Sequence, residues 1–263
     1  MIKKNKFKYI FKGLFDNYDD CYKNEKNIFY LDKDYENSQK KIINIILKNL
    51  LKKKPIPPFY KQHTHHLINN ISLFKDKKIN ILDVGGGWGV GYANCMEVFN
   101  KKKLSQINYN IFDFENICNI GDQYFKNKIK LKHKKINFYS NLDIMKHKKF
   151  DIIFFGSSLQ YFKKPLEILE YISNFDTSYL LFIDTYLVKC PSFFTLQKYY
   201  QSSVPHSFIN EKKFLKIFQK NFSLILNAYS HTSRLNKIGE INMKNFPIKY
   251  RLDNSFNLMF KKK

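Results

Sequence analysis

The chain has 263 residues, of which 44% are hydrophobic and 26% are charged, a composition that excludes a largely disordered protein. This length fits one α/β domain with an appendage. The formal net charge of +24 comes from 46 basic residues, of which only Arg234 and Arg251 are arginines. Because the bidentate fork that grips phosphates and reads guanine is nearly absent, we do not expect nucleic acid as a partner.

The location of the protein is predicted from segments that the sequence lacks. Nowhere do about 18 consecutive apolar residues occur, so no transmembrane segment is predicted. The four cysteines show no spacing typical of a zinc site or a disulfide framework, which favours a reducing, cytoplasmic location. Apolar residues among the lysines of 7–15 leave peripheral membrane contact open, but we expect that stretch to pack against its own domain. The oligomeric state is not indicated.

The first predicted elements are helical. Apolar residues recur at helical spacing over residues 38–54, and Pro55 ends that helix. A second short helix is predicted over residues 65–74. We interpret residues 1–70 as an N-terminal helical appendage or lid, and residues 71–263 as the main domain.

From residue 79 onward, short apolar runs alternate with helix-length polar segments, which is typical of βαβ units. Strands are predicted over residues 79–84, 109–112, 136–139, 151–155, 179–183, 223–228 and 255–260. Crossover helices are predicted over residues 92–99, 165–173 and 211–219. The expected architecture is a Rossmann-like α/β fold with a mostly parallel, seven-stranded sheet flanked by helices.

The strongest functional pattern is the segment ILDVGGGWGVG at residues 81–91, a predicted strand that runs into glycines and then into a helix. Four glycines within residues 85–89 cost conformational entropy that a simple turn would not need. A helix N-terminus also attracts polar or anionic groups. We therefore predict a nucleotide-type ligand site on this loop.

The spacing of the loop distinguishes between two cofactors. The dinucleotide fingerprint G-x-G-x-x-G requires Gly or Ala three positions after its second glycine, but Val90 stands there after Gly87. Asp83 instead begins the pattern D-x-G-x-G-x-G, which resembles the first motif of class I S-adenosylmethionine-dependent methyltransferases. The resemblance implies a class I methyltransferase fold in which Asp83 helps to orient the cofactor's amino group. The methionine end would lie on Gly85, Gly86, Gly87, Trp88 and Gly89.

An acid at the end of the next strand is the second feature of such a site, because a carboxylate can accept hydrogen bonds from both ribose hydroxyls. Asp113 stands there, 26 positions after Gly87, and Glu115 is the reserve candidate. The resemblance further implies cofactor contacts beyond the third and fourth strands. The residues concerned are Asn141 and Leu142, which would flank the adenine, and Gly156, Ser157 and Ser158.

Two further segments, at residues 13–21 and 195–207, resemble a subfamily of bacterial methyltransferases found with surface-polysaccharide genes. The second segment looks like that family's substrate loop after the sheet. The resemblance implies a small-molecule or glycan acceptor, with a sugar hydroxyl as the methylated group. Its implied substrate-binding residues are Tyr161, Gln197 and Tyr200.

A hydroxyl acceptor would also need a general base. Asp184, at the carboxyl end of the fifth predicted strand, and His206, in the predicted substrate loop, are the candidates. No metal site is predicted from His63, His65 and His66, because no cysteine or carboxylate cluster completes a coordination sphere.

Two other functions stay open. A nicotinamide-dependent sugar oxidoreductase or epimerase would share the first strand and the glycine loop. A non-catalytic basic binding protein could retain a relic cofactor fold.

Overall fold

The computed structural model describes residues 9–23, 33–75, 77–128, 135–199, 202–234 and 237–263. The helices are α1 (Tyr18–Lys23), α2 (Lys33–Leu51), α3 (His65–Leu73), α4 (Val90–Val98), α5 (Lys101–Gln106), α6 (Glu115–Lys128), α7 (Pro165–Ser173) and α8 (Glu211–Phe218). In the part of the chain so described, no helix is long and apolar enough to cross a membrane.

The strands form one large sheet, a smaller sheet and a short ribbon. They are β1 (Phe11–Phe15), β2 (Ile79–Val84), β3 (Ile107–Phe112), β4 (Ile136–Tyr139), β5 (Phe150–Gly156), β6 (Thr177–Thr185), β7 (Leu187–Val188), β8 (Phe193–Tyr199), β9 (Ser202–Asn210), β10 (Phe222–Tyr229), β11 (Ser233–Arg234), β12 (Lys237–Ile238) and β13 (Phe256–Lys262).

The large sheet has seven strands in the order β10-β13-β6-β5-β2-β3-β4. The five strands from β6 to β4 are parallel, and β13 runs antiparallel to both of its neighbours, β6 and β10. This order confirms the predicted Rossmann-like α/β fold with a mostly parallel sheet, and all seven predicted strands are present. The chain leaves β2 toward β3 and later returns to β5, which creates a topological switch point at the carboxyl ends of these strands.

Both faces of the sheet are covered, as the continuous apolar runs require. Successive side chains of a strand point to opposite faces. Ile79 and Ile81 of β2 accordingly join one buried cluster, whereas Leu82 and Val84 join the other.

The N-terminal helices contribute to the first of these clusters. Ile43, Ile46 and Leu47 of α2 are buried together with Ile79 and Ile81 of the sheet. The segment also contains the strand β1, which the helical interpretation of residues 1–70 did not include. The boundary at residue 70 stays a prediction.

A second sheet, in the order β1-β8-β9-β7, is the main departure from the predicted structure. The predicted substrate loop at residues 195–207 is wrong as a loop, because β8 and β9 form an antiparallel hairpin with Thr195 opposite His206. The polar side chains of this segment are typical of loops. Its pairing with β1, in which Phe11 lies opposite Gln197, is remote in sequence and leaves no local pattern.

Two apolar residues at the start of the described chain pack inside this second layer, whereas Leu14 of the same stretch is 39% exposed. Ile10 and Phe11 are buried in a cluster with Tyr186 and Phe208. They are therefore not available to a membrane surface. Phe7, which belongs to the same apolar stretch, lies outside the described residues.

We expect Ile46→Ala to lower the free energy of unfolding by about 2–5 kcal/mol, because it leaves a cavity in the cluster that α2 shares with the sheet. Urea denaturation of the full chain measures this change. Ile45→Ala is the matched control, since Ile45 is 44% exposed on the same helix, and should change stability by less than about 0.5 kcal/mol. Equal effects of the two substitutions would show that α2 does not pack as described.

Candidate functional site

The glycine loop is held to the end of β3 by two hydrogen bonds. Gly85 N–H donates to the carbonyl of Phe112 at 2.7 Å, and Gly87 N–H donates to Asp113 Oδ2 at 2.8 Å. Gly89, in the left-handed region with φ of 89°, leads into α4. The structure thus brings the predicted ribose acid and the predicted cofactor loop into direct contact.

Packing explains most of the glycines in this loop. A Cβ on Gly86 would lie 2.6 Å from the Asp83 carboxyl carbon, and one on Gly85 would collide with Ser158. At Gly87, by contrast, a Cβ would meet nothing within 4 Å. The number of glycines therefore has a structural cause of its own and does not by itself indicate a ligand. Gly87 marks the open face of the loop.

Asp83 is buried beneath the loop, with 3% of its surface exposed. Its carboxylate accepts a hydrogen bond from the Tyr109 hydroxyl at 2.6 Å. The pKa of Asp83 is raised to about 7. Burial is the main cause and the nearby Asp113 adds to it, whereas the hydrogen bond from Tyr109 acts in the opposite direction. The charge of Asp83 therefore changes near neutral pH.

Asp113 is half-buried, and its carboxylate accepts the backbone N–H groups of Gly87 and of Phe114, the latter at 2.7 Å. Burial raises its pKa to about 6, although both hydrogen bonds favour the charged form. Asp113 N–H donates to the carbonyl of Tyr139, which ties the end of β4 to the same edge.

The predicted adenine-side residues differ in their surroundings. Asn141 is exposed, and its Oδ1 accepts the N–H of Asp143 at 2.8 Å. Leu142 is half-buried and packs against the cluster on one face of the sheet. Trp88 is 3% exposed, lies edge-on to Tyr124, and has an Nε1 with no partner among the described residues.

Two non-glycine residues have left-handed backbone conformations at the carboxyl ends of β5 and β6. Ser157 has φ of 59° and Asp184 has φ of 58°, and the Ser157 hydroxyl donates to Asp184 Oδ2 at 2.8 Å. Such strained residues cluster at functional sites. The neighbouring residues complete this edge, since the Ser158 hydroxyl donates to the Val84 carbonyl and a Cβ on Gly156 would collide with the Phe154 ring.

Asp184 is buried and has several partners. Besides Ser157, the Ser255 hydroxyl donates to Asp184 Oδ1, and Asp184 N–H donates to Asn257 Oδ1 at 3.0 Å. The carboxylate therefore joins the ends of β5 and β6 to the start of β13. Its role as a general base stays a prediction, and it would require one of these hydroxyls to give way.

Gln160 was not singled out from the sequence, although it lies between the predicted site residues Ser158 and Tyr161. It is 2% exposed, and its Nε2 donates to the Ser157 carbonyl at 2.9 Å and to the Ser157 hydroxyl at 3.0 Å. Its Oε1 has no partner among the described residues. An acceptor buried without a donor is costly, so this oxygen fits a ligand that donates a hydrogen bond.

Two predicted substrate residues meet where the second sheet packs on the turn after β5. The Tyr161 hydroxyl donates to Gln197 Oε1 at 2.9 Å, and both residues are half-buried. Tyr200, the third, lies outside the described residues. Tyr161 and Gln197 therefore form a polar pair beside the carboxyl edge of the large sheet.

His206 is fully buried on the strand β9 and does not lie in a loop as predicted. Its ring lies edge-on to Tyr186 at 4.3 Å, Phe11 at 4.8 Å and Tyr161 at 5.7 Å between centroids. Burial lowers its pKa to about 3. A base with this pKa is poorly matched to proton transfer at neutral pH.

His66 and Asn257 were also missed. The Asn257 amide nitrogen lies 3.2 Å from His66 Nε2, which links α3 to the edge that carries Asp184. Contacts of this kind depend on the position of β13 between β6 and β10, which no local pattern reveals. Across residues 9–23, 33–75, 77–128, 135–199, 202–234 and 237–263, no group of three or more His, Cys, Asp or Glu side chains could hold a metal ion.

Comparisons with known proteins found similarity to solved structures alone. No family model matches the sequence, and no curated protein matches it. The similar solved structures include two methyltransferases. One, an S-adenosylmethionine-dependent methyltransferase from Clostridium acetobutylicum ATCC 824, is 14% identical with a TM-score of 0.48, covering 85% of this chain and 98% of its own. The other is magnesium protoporphyrin IX methyltransferase from Synechocystis PCC 6803 with bound S-adenosylhomocysteine. It is 10% identical with a TM-score of 0.49, and the match covers 78% of this chain and 84% of its own.

These likenesses are too distant to carry an argument about activity. The strand order and the glycine loop define the class of the fold, which is a Rossmann-like α/β fold. The function has to be argued from the residues at the carboxyl edge of its sheet.

The raised pKa of Asp83 predicts how stability depends on pH. A carboxyl whose pKa is higher in the folded than in the unfolded state stabilises the fold below its ordinary pKa, and this contribution is lost as pH rises toward 7. Asp83→Asn removes the effect and keeps an acceptor for Tyr109. We expect the stability of this variant relative to the parent to rise by about 4 kcal/mol at most between pH 4 and pH 8, measured by urea denaturation.

Asp176→Asn is the control with the opposite sign. Asp176 is exposed, and its hydrogen bond and ion pair with Lys262 lower its pKa, so its contribution is present above the ordinary pKa of an aspartate. The stability of this control relative to the parent should therefore not rise with pH. A flat difference between Asp83→Asn and the parent would contradict the burial of an ionisable Asp83.

Proposed function

We propose that the protein is an S-adenosylmethionine-dependent methyltransferase. The observation that carries this proposal is the hydrogen bond between Gly87 N–H and Asp113. It puts an acid at the end of β3 next to the open face of the glycine loop, at the switch point where α/β sheets bind their ligands. A carboxylate in that position can accept hydrogen bonds from two adjacent ribose hydroxyls.

The topology favours this cofactor over a nicotinamide dinucleotide. The usual dinucleotide-binding sheet consists of parallel strands in the order 3-2-1-4-5-6. Here β13 lies antiparallel between β6 and β10. Together with Val90 in the place of the third fingerprint glycine, this argues against the oxidoreductase alternative.

The residues at the carboxyl edge fit the proposed cofactor. Gly87 leaves space beside the loop, and two buried polar atoms, Trp88 Nε1 and Gln160 Oε1, have no partner among the described residues. One is a donor and the other an acceptor, so a polar ligand could satisfy both. S-adenosylmethionine would supply a methyl group already activated on a sulfonium, which leaves positioning as the main task of the protein.

The predicted cofactor residues outside the glycine loop each have a role in this proposal. Asp83, ionised above about pH 7, would help to orient the amino group at the methionine end of the cofactor from its position beneath the glycine loop. Asp113 would hold the ribose, and Asn141 with Leu142 would flank the adenine. The backbone turn at Gly156, Ser157 and Ser158 would border the reacting end, since it abuts Gly85 through Ser158.

For the acceptor, we propose a hydroxyl group of a small molecule or glycan. The support is the pair formed by Tyr161 and Gln197, whose hydroxyl and amide groups suit hydrogen bonds to a sugar. The assignment to a surface glycan or its precursor rests on the sequence resemblance alone. Asp184 is the preferred proton acceptor, because it is bonded to Ser157 at the strained end of β5, whereas His206 is enclosed by aromatic rings.

Asp113→Ala should weaken binding of S-adenosylhomocysteine roughly 10- to 100-fold, because it removes charge-assisted hydrogen bonds worth about 1.5–3 kcal/mol. Isothermal titration of the purified parent protein and of the Asp113→Ala variant measures the change. Glu115→Ala is the matched control, since Glu115 is an exposed acid two residues further on. An unchanged affinity in Asp113→Ala, or an equal loss in Glu115→Ala, would refute the ribose assignment.

Affinity for S-adenosylmethionine should increase with pH between about 5.5 and 8. The cofactor carries cationic groups that favour ionised Asp83, and burial raises the pKa of Asp83 to about 7 in the free protein. Binding below that pH therefore costs one deprotonation, up to about tenfold per pH unit. Titrations at several pH values measure the slope, and Asp83→Asn should flatten it above about pH 6. A pH-independent affinity in the parent would contradict the role of Asp83.

A further inference from the structure

A cavity of about 220 Å³ lies between the start of α7 and the hairpin of β8 and β9. Its walls are mainly apolar and include Leu166 of α7, Phe193 of β8 and Phe208 with Ile209 of β9. None of the residues assigned above to the cofactor or the acceptor lines it. The cavity is therefore separate from the proposed methyl-transfer site.

One buried hydroxyl in this cavity has no partner. Ser207, on β9, is 2% exposed, and its Oγ forms no hydrogen bond among the described residues. A buried polar group without a partner is costly, and a bound ligand or water is one common explanation for such a group in a native structure. Because side chains alternate along a strand, Ser207 points away from the aromatic group that encloses His206.

The charges at the mouth of the cavity are mostly positive. Lys163 and Lys164 stand at the start of α7, and Glu167 is the remaining charged residue of the lining. Lys163 pairs with Asp19 at 2.7 Å and Lys164 with Glu167 at 2.9 Å, all with more than half of their side chains exposed. Exposed ion pairs are weak, so an anion can replace them. The nine-residue helix α7 adds the partial positive charge of its N-terminus.

We propose that this cavity binds a small organic anion, a carboxylate with an apolar body. The apolar body would lie between Leu166, Phe194 and Ile209, which line the cavity on the side of Ser207. The carboxylate would accept hydrogen bonds from Ser207 and from the lysines before α7. The inference goes beyond methyl transfer, because no step of that reaction needs this second ligand.

The test uses the full chain with 4-fluorobenzoate and hexanoate as probes and 4-fluorobenzamide as the uncharged analogue. Fluorine NMR and isothermal titration measure the affinities. We expect both carboxylates to bind, and the benzamide to bind at least about tenfold more weakly. Ser207→Ala should weaken carboxylate binding by about tenfold, because one charge-assisted hydrogen bond is lost. The double substitution of Lys163→Gln and Lys164→Gln should weaken it by at least about tenfold, because the cations beside the carboxylate are lost. Lys212→Gln, at an exposed position of α8, is the matched control and should bind normally.

A thermal melt separates a ligand role of Ser207 from a structural one. If the hydroxyl serves a ligand, Ser207→Ala should leave the melting temperature of the free protein unchanged or raise it, because an unpartnered polar group is removed. A lower melting temperature with unchanged affinity would overturn the proposal. So would failure of both carboxylates to bind the parent chain, or equal affinity for the benzamide.

Discussion

A carboxyl group buried beneath the loop after β2 is the constraint on which the arrangement of the site depends. Asp83 can remain there because Tyr109 donates a hydrogen bond to it. The space above it is so limited that any side chain at Gly86 or Gly91 would collide with Asp83 or Tyr109. The loop is therefore forced close to the end of β3, where Gly87 N–H reaches Asp113. The glycines, the buried acid and the ribose acid form one interdependent unit.

The remainder of the carboxyl edge is organised around Asp184. Its bonds to Ser157, Ser255 and Asn257 connect β5, β6 and β13 at the point where two residues adopt left-handed conformations. The second sheet packs beside this junction and brings Tyr161 to Gln197. The second sheet pairs β1 with β8, which is remote in sequence, and β13 supplies Asn257, so segments near both ends of the chain contribute to the surroundings of the site.

The sequence was sufficient for the large sheet because each of its strands is a local apolar run, and β2 and β4 have the predicted bounds. The glycine loop was predicted because its spacing is short and specific, and Asp113 was predicted because it follows the end of the next strand. The second sheet was missed because its strands carry polar residues and pair over long distances. For the same reason the burial of His206 was not foreseen, since Phe11 and Tyr186, two of the rings around it, come from distant segments.

Isothermal titration of the full chain with S-adenosylhomocysteine, with NAD as the comparison ligand, tests the central claim most directly. The buried Asp83, the open face at Gly87 and the reversed strand β13 together predict binding of one S-adenosylhomocysteine per chain and none of NAD. Binding of NAD instead would restore the oxidoreductase interpretation. If neither ligand bound, the glycine loop would be a packing device that covers Asp83, and the proposed activity would be contradicted.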